Sequence, residues 1–309
     1  MRLPAALCCL ALSGLSLLAS DPAPATFGYV LQADALARTK LAAVAKLAAS
    51  GREWMVLDSV FSSETPWTRA DLTAIRERQP ARKIIAYLSI GEAEDYRPYW
   101  RPEWLIKGRP APGAPAFLGL VNPAWKGNYR VKYWLAEWQR IVLASVDAAM
   151  EAGFDGVYLD IVDAFEGFEQ EGADFIDDRV NPETKQSYRR DMVDWVKAIS
   201  ARAHARNPSA LIIPQNGSQL LAHPDFLAAI DAIGIEDLFT EGNKLQPASH
   251  TIEVLGHLKT LATARKPALL IEYPKSAERR AFSKRRAHEV GAAWLITDRQ
   301  LKTLGISGH

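Results

Sequence analysis

The sequence predicts an α/β protein, a (β/α)8 TIM barrel that forms a single domain. Short apolar runs with strand character alternate with segments of helical periodicity from residue 27 onward. Eight such runs occur, and a carboxylate or amide side chain stands just past almost every one of them. Because barrel enzymes hold their functional groups at the C-terminal ends of parallel strands, both observations predict the same architecture.

The predicted strands are short and apolar, as expected of strands that are covered on both faces. The central one is Val157-Tyr158-Leu159, which follows Gly153 at the end of a long helix and runs into Asp160. The eight strands are predicted at 27–32, 54–57, 83–90, 157–160, 211–214, 233–235, 268–273 and 293–297.

Helical periodicity and capping residues place a helix after most strands. The clearest helix carries Trp134, Trp138 and Val142 on one face. Thr68 and Ser249 are predicted N-caps, since their side chains can accept a hydrogen bond from a free backbone N–H. The helices are predicted at 35–49, 68–78, 131–152, 187–206, 219–230, 249–264 and 276–290.

Two features depart from an ideal barrel. Residues 92–128 form a long loop after strand 3, rich in Pro, Gly and aromatic residues. Few residues follow the eighth strand, so the last helix is predicted to be short or missing.

An open doubly wound sheet is the alternative fold. That fold usually has a Gly-rich phosphate turn after its first strand, whereas this chain has Gln32-Ala33-Asp34 there.

Residues 1–25 are predicted to be a signal peptide and short linker, and residues 26–309 the barrel domain. Arg2 precedes the apolar run 3–19, and we expect cleavage after Ser20 or Ala25. An uncleaved membrane anchor is the alternative, although the run is at the short limit for a span. Both cysteines lie inside the run, so we expect a secreted or periplasmic protein without disulfides.

Composition argues against several classes of function. The formal net charge of +1 gives no bulk electrostatic attraction to nucleic acid or to anionic membranes. The six histidines show no His-Glu-x-x-His pairing, and no Gly-x-Ser-x-Gly elbow is present. We therefore expect a monomer without nucleic-acid partner, stable membrane insertion, metal or cofactor.

Acidic and amide side chains just past the strands form the candidate site. They are Asp58, Glu92, Asp160, Asn216, Glu236, Glu272 and Asp298. Two carboxylates can cleave a glycosidic bond: one protonates the leaving oxygen, and the other attacks the anomeric carbon or activates water. A rim of carboxylates without His or Cys therefore indicates glycosidase chemistry. A carboxylate-bound Ca²⁺ or Mg²⁺ is the competing interpretation.

Four stretches resemble the endo-alpha-1,4-polygalactosaminidase family, glycoside hydrolase family 114, and related glycosidase barrels. They are IAYLSIGEAEDY (85–96), NPAWKGNYRV (122–131), GFDGVYLDIVD (153–163) and GIED (234–237). The resemblance implies a barrel that cleaves an amino-sugar polysaccharide endolytically. It also implies a catalytic pair formed by the Asp that ends strand four and the Glu that ends strand six, which here are Asp160 and Glu236.

Three alternatives remain open in the sequence. Glu272 could partner Asp160 in place of Glu236, because many sugar-cleaving barrels use strands four and seven. The substrate could be a neutral glycan. The chain could also be a non-catalytic carbohydrate-binding barrel.

The acids also bear on the substrate. A negative cleft, which would attract a polymer carrying ammonium groups, is predicted from Asp58, Glu92, Glu94, Asp95, Asp163, Asp237 and Glu241. Aromatic residues in the same segments can stack on sugar rings. The predicted substrate-binding residues are Asp58, Tyr87, Glu92, Tyr96, Trp125, Asp163, Asn216, Glu272 and Asp298.

Overall fold

A computed structural model describes residues 24–63, 65–172 and 174–309. Eight parallel strands form its centre. The predicted signal peptide lies outside the described residues, except for its last two positions. The strands are Phe27–Val30 (β1), Trp54–Asp58 (β2), Lys83–Ser89 (β3), Gly156–Asp160 (β4), Leu211–Pro214 (β5), Ile233–Glu236 (β6), Ala268–Glu272 (β7) and Ala293–Ile296 (β8).

The strands pair in chain order, which is the barrel topology that the alternating pattern predicts. β1 to β5 form one parallel sheet, and β6 to β8 continue the order in a second. A parallel bridge between Gln215 and Gly234 joins the two sheets. The Asn216 N–H donates to the Gly234 carbonyl at 2.8 Å across the same junction.

The C-terminal segment closes the seam between β8 and β1. Within the described chain no helix follows β8, and the strand Ile306–Gly308 (β9) pairs with it antiparallel. The Leu301 carbonyl accepts the N–H groups of Leu31 and Gln32 at 3.0 and 3.3 Å. The Phe27 N–H donates to Ser307 Oγ at 2.9 Å. A turn and an antiparallel strand therefore take the place of the eighth helix.

The described chain contains nine α-helices, of which the longer ones cover the outside of the barrel. They are Ala33–Leu36 (α1), Lys40–Ala48 (α2), Arg69–Arg76 (α3), Ala136–Ala152 (α4), Glu166–Glu169 (α5), Tyr188–Arg206 (α6), Pro224–Ala229 (α7), Ala248–Thr263 (α8) and Ala277–Glu289 (α9). In the described part of the chain, no helix combines the length and apolar character that crossing a membrane requires.

Local chemistry moves several helix boundaries from their predicted positions. The predicted helix 35–49 is divided, because the chain is extended at Ala37 and the Thr39 side chain caps α2. α4 begins at Ala136 because the residues before it form a strand and a turn. The start of α8 has no side-chain cap, so the prediction that Ser249 caps it is wrong.

The long loop after β3 contains a small sheet that the sequence did not reveal. Glu92–Glu94 and Leu118–Val121 flank Asn128–Val131 in a three-stranded antiparallel arrangement, here called the cap sheet. The same loop and several others contain shorter regular elements. These are Val60–Ser62, Thr65–Pro66, Leu105–Ile106, Arg109–Pro110, Gln170–Glu171, Asp174–Phe175, Thr240–Glu241 and Lys244–Leu245, with 3-10 helices at Pro102–Trp104, Val162–Phe165 and Ser218–Ala222.

Alternation along the strands separates two apolar layers. In β4, Val157 and Leu159 pack against the helices, where Trp138 and Trp195 are fully buried. Tyr158 points into the barrel. The interior layer is rich in tyrosine and lies directly beneath the C-terminal rim: Tyr29, Tyr87, Tyr158 and Tyr273.

Gly234 in β6 gives the Tyr158 ring its space. A Cβ at position 234 would overlap Tyr158 Oη. Overpacking of this kind costs about 1–3 kcal/mol, so we expect Gly234→Ala to lower the free energy of unfolding in urea by that amount. Adding Tyr158→Phe, which removes the clashing oxygen, should restore part of the loss.

Gly256→Ala in α8 is the matched control. A Cβ there meets nothing within 4 Å, so the change should stabilise the helix by about 0.5–1 kcal/mol. A Gly234→Ala protein as stable as the parent, or no recovery with Tyr158→Phe, would contradict this packing.

Candidate active site

A cavity of about 830 Å³ opens at the C-terminal ends of the barrel strands. Its walls include residues from β2, β3, β4 and β6 and from the turns after β5 and β7. The cap sheet and its loops form another wall. Of the predicted site residues, the cavity lining includes Asp58, Tyr87, Glu92, Tyr96, Trp125, Asp160, Asp163, Asn216 and Glu236.

Asp160 is the last residue of β4, and two donors fix its carboxylate. Tyr87 Oη donates to Oδ2 at 2.6 Å, and the Ile161 N–H donates to Oδ1 at 2.8 Å. Ile161 has a φ of 60°, a left-handed conformation that is unusual for a β-branched residue. Burial raises the pKa of Asp160 to about 6, and the two hydrogen bonds to the charged form limit the rise.

Glu236 is the last residue of β6. Its backbone N–H donates to Asn216 Oδ1 at 3.1 Å, and Asn216 itself has a φ of 58°. Tyr273 Oη donates to Glu236 Oε1. Burial first, and then the charge of Asp160, raise the pKa of Glu236 to about 7, while the Tyr273 bond opposes the rise.

The fold brings Asp160 and Glu236 to the same cavity. Only β5 lies between their strands, and neighbouring strands are about 4.8 Å apart, which puts the two backbones roughly 10 Å from each other. Their charges interact, since Asp160 raises the pKa of Glu236. The geometry therefore offers a pair of carboxyl groups with unequal proton affinity facing one space.

Asp163 is a third carboxyl group in the cavity, and it is partly buried. It lies in the 3-10 helix that follows β4. Burial, reinforced by the charges of Glu166 and Asp160, raises the pKa of Asp163 to about 8. Its carboxyl group is therefore largely protonated at neutral pH and can donate a hydrogen bond to a ligand.

Asp58 is paired with a cation. Arg97 Nη1 and Nη2 donate to its two oxygens at 2.7 and 3.0 Å, and Arg97 also forms an ion pair with Glu94. The guanidinium lies 5.2 Å from the centre of the Tyr96 ring, which is half exposed at the cavity mouth. Arg97 thus connects the end of β2 to the cap sheet and supports an aromatic surface.

Glu92 joins the cap sheet to the cavity. The side-chain amides of Asn122 and Asn128 donate to its two oxygens at 2.8 and 3.3 Å. Burial raises its pKa, and these two bonds oppose the rise. The turn between the two asparagines carries Trp125, which is 48% exposed and lines the cavity. Glu92 therefore holds the segment that presents this indole ring.

Glu272, which the sequence predicts as a substrate-binding residue, does not line the cavity. Its side chain is 1% exposed and accepts bonds from the N–H groups of Phe239 and Thr240 at 2.7 and 3.0 Å. Alternation explains the placement. In β7 Ile271 faces the barrel interior, so Glu272 faces the helical layer near Ser283 of α9.

Asp298, also predicted as a substrate-binding residue, lies outside this cavity. Its carboxylate accepts N–H groups of Gln300, Lys302 and Thr303 at 3.0–3.2 Å. Those bonds shape the turn after β8, and they lower the pKa of Asp298.

Several cavity residues were not predicted as site residues, and Tyr273 and Arg299 are the two that bear most directly on Glu236. Tyr273 directly follows Glu272, and strict alternation along β7 would have selected the tyrosine as the inward residue. Arg299 comes from the C-terminal turn, whose return over the rim no strand pattern signals. Among the described residues, no group of three or more His, Cys, Asp or Glu side chains is arranged to hold a metal ion.

A parallel barrel with two carboxyl groups facing one cavity at its C-terminal rim is an arrangement typical of glycosidases. The chain belongs to glycoside-hydrolase family GH114, whose family model matches residues 25–308. The family and the enzyme class predicted in the sequence, a glycoside hydrolase, are thereby confirmed.

Two relatives match well over half of this chain. An uncharacterized protein of Deinococcus radiodurans is 37% identical over 245 residues, which cover 79% of this chain and 71% of the relative. Another, of Methanocaldococcus jannaschii, is 37% identical over 204 residues, which cover 64% of this chain and 54% of the relative.

Solved structures confirm the fold. The glycoside hydrolase domain of PelA from Pseudomonas aeruginosa superposes with a TM-score of 0.64 at 20% identity, covering 92% of this chain and 98% of the domain. Aspergillus fumigatus Ega3, solved in complex with galactosamine, gives a TM-score of 0.61 at 19% identity, covering 93% of this chain and 96% of Ega3.

The carboxyl group of Asp163 makes the stability of the protein depend on pH. Its pKa of about 8 in the folded state exceeds the unfolded value of about 3.9. Between these values the folded state holds a proton that the unfolded state has lost, so this group makes stability fall as pH rises.

We therefore expect Asp163→Asn to stabilise the protein more at about pH 9 than at about pH 5, by more than about 1 kcal/mol in urea denaturation. Asp174→Asn, at an exposed position, is the control and should show no such difference. Equal effects of Asp163→Asn at both pH values would contradict a raised pKa of Asp163 in the folded protein.

Proposed function

We propose that the protein hydrolyses glycosidic bonds within a cationic amino-sugar polysaccharide, with Asp160 and Glu236 as its catalytic pair. The observation that carries the proposal is the presence of both carboxyl groups on one cavity with different hydrogen-bond partners.

The hydrogen bonds support a division of roles. Asp160 accepts two bonds that favour its charged form, from Tyr87 and from the Ile161 N–H. Glu236 accepts one, from Tyr273, and has the higher pKa because the Asp160 charge opposes its ionisation. Near neutral pH, Glu236 carries the proton that the leaving oxygen needs, and ionised Asp160 acts on the anomeric carbon directly or through water.

The charges of the cavity favour a cationic substrate. Four cationic side chains line it: Arg97, Lys126, Arg130 and Arg299. Eight acidic side chains line it: Asp34, Asp58, Glu92, Glu94, Asp160, Asp163, Glu166 and Glu236. With Asp163 and Glu236 protonated near neutral pH, the remaining six still outnumber the four cations. An acidic cleft on a chain with a net charge of +1 concentrates cations locally. Ega3, whose solved complex contains galactosamine, supports extending this argument to an amino sugar with a free amine.

Aromatic side chains at the mouth support binding of an extended polymer. Tyr96 and Trp125 are 51% and 48% exposed and line the cavity on its cap side. Aromatic faces of this kind can stack on successive sugar rings. A cavity that opens to solvent next to such faces suits cleavage within a chain, and the N-terminal segment supports export to where such polymers occur.

We expect Asp160→Asn and Glu236→Gln each to reduce turnover of a galactosamine polymer by about 100- to 10,000-fold. Each change preserves shape and removes an ionisable group. Reducing-end release measures turnover, and circular dichroism checks the fold. Glu137→Gln on the exposed face of α4 is the control and should retain parental turnover. Near-parental hydrolysis by either site variant would exclude that residue from catalysis.

We also expect the rate to depend on free amines in the substrate. Full N-acetylation removes the ammonium charges that the acidic cavity attracts, so kcat/KM should fall by about tenfold or more. The comparison uses one polymer preparation before and after acetylation. Because salt screens charge interactions, added salt should reduce the difference. Equal kcat/KM on both forms would contradict a charge-based preference.

A further inference from the structure

We propose that Arg299 is a positioning residue that holds Glu236 and its hydrogen-bond donor, Tyr273, in their working arrangement. This inference rests on the proposed function, because it takes Glu236 as the proton donor. The arginine reaches the acid by two separate routes, one through the backbone next to Glu236 and one through the Tyr273 ring.

The first route runs through Asp237. Arg299 Nη1 and Nη2 bind its two carboxylate oxygens at 2.6 and 2.9 Å. Asp237 directly follows Glu236 and has a φ of 51°, a conformation that needs support from its surroundings. Its N–H donates to the Ile271 carbonyl at 3.0 Å, and Gln246 Nε2 donates to its carbonyl at 2.8 Å. The strand end that carries Glu236 is thereby held from three directions.

The second route runs through Tyr273. The Arg299 guanidinium carbon lies 4.1 Å from the centre of the Tyr273 ring, which is within the range of a cation–π interaction. The hydroxyl of the same ring donates to Glu236 Oε1. Displacing the guanidinium would free the outer face of the ring and loosen the hydroxyl that orients the acid.

Arg299 is itself well anchored. Asp298 accepts the N–H groups of Gln300, Lys302 and Thr303 and so fixes the turn on both sides of the arginine. The Leu301 carbonyl ties the same turn to β1. An exposed ion pair alone contributes little. Here the Arg299 side chain has both a bidentate ion pair and a ring contact, and hydrogen bonds fix the turn that carries it.

The charged groups around Glu236 predict the direction in which each substitution shifts the pKa of Glu236. Among carboxylates, Asp160 and Asp237 raise the pKa of Glu236, and Glu236 in turn raises that of Asp163. Arg299 lowers the pKa of Glu236. Neighbouring tyrosines, Tyr29 and Tyr158, remain neutral, because burial raises their pKa values far above the working range. Removing Arg299 should therefore raise the pKa of Glu236, and removing the Asp237 charge should lower it.

The test is a pair of single variants and their combination, assayed for kcat and KM across pH. Arg299→Gln should lower kcat by about 10- to 100-fold with KM changed less than about threefold. The fall of kcat/KM at high pH, here called the alkaline limb of the pH profile, should move up by about 1 pH unit. Asp237→Asn should move that limb down. The combined variant should return the limb towards its parental position while kcat stays low.

Arg299→Lys separates charge from geometry. A lysine retains the positive charge but lacks the planar fork and the stacking face, so the limb should stay in place while kcat falls. Arg285→Gln, on the outer face of α9 and 62% exposed, is the control and should change neither quantity. Unchanged kcat and an unmoved limb in Arg299→Gln would overturn the proposal.

Carbon-13 NMR of the Glu236 carboxyl, assigned by its loss in Glu236→Gln, reads the same pKa without turnover. In folded Arg299→Gln protein the midpoint should rise, and an unchanged midpoint would overturn the proposal. If Glu236→Gln kept parental turnover, the proposed function would fail, while the NMR midpoint would still decide whether Arg299 controls this carboxyl.

Discussion

In the described part of the chain, the carboxyl groups of Asp160 and Glu236 are partly buried with no arginine or lysine bound to either, and the site depends on this constraint. Removing a carboxylate from water is unfavourable unless hydrogen bonds or opposite charges compensate. Within the described chain, compensation for Asp160 and Glu236 comes from the hydroxyls of Tyr87 and Tyr273 and from the Ile161 N–H. Because hydroxyl donors stabilise the charged form only partly, both pKa values stay near neutrality, where a group can hold and release a proton.

Two other acids of the rim, Asp58 and Asp237, show how a bound cation changes the role of a carboxylate. The carboxylates of Asp58 and Asp237 each accept two bonds from an arginine, Arg97 and Arg299 respectively. A bidentate guanidinium favours the ionised form and fixes its orientation. Such a carboxylate supports structure well and transfers protons poorly. The position of an acid at a strand end is therefore insufficient to assign its role, which depends on the chemical type of its partner.

This distinction explains how far the sequence could predict the site. The strands follow from apolar runs bounded by turn residues, and the position of Asp160 at the rim follows from the strand it ends. Alternation would also have separated Tyr273 from Glu272, had strand β7 been read residue by residue. The partner of each acid lies far away in the chain, as Arg97 does from Asp58, and no local pattern encodes such a pairing. The cap sheet was not predicted for the same reason, since its strands are short and its first strand pairs with a segment far away in the chain.

The closure of the barrel brings the C-terminal segment into the site. A helix after β8 would have carried the chain to the outer layer, away from the rim. The chain instead turns at Asp298, passes Leu301 over the end of β1 and returns as β9 alongside β8. That turn closes the seam and places Arg299 against Tyr273. Closure of the barrel and orientation of Glu236 therefore depend on one set of hydrogen bonds, so a change that loosens the seam also reaches the acid at the end of β6.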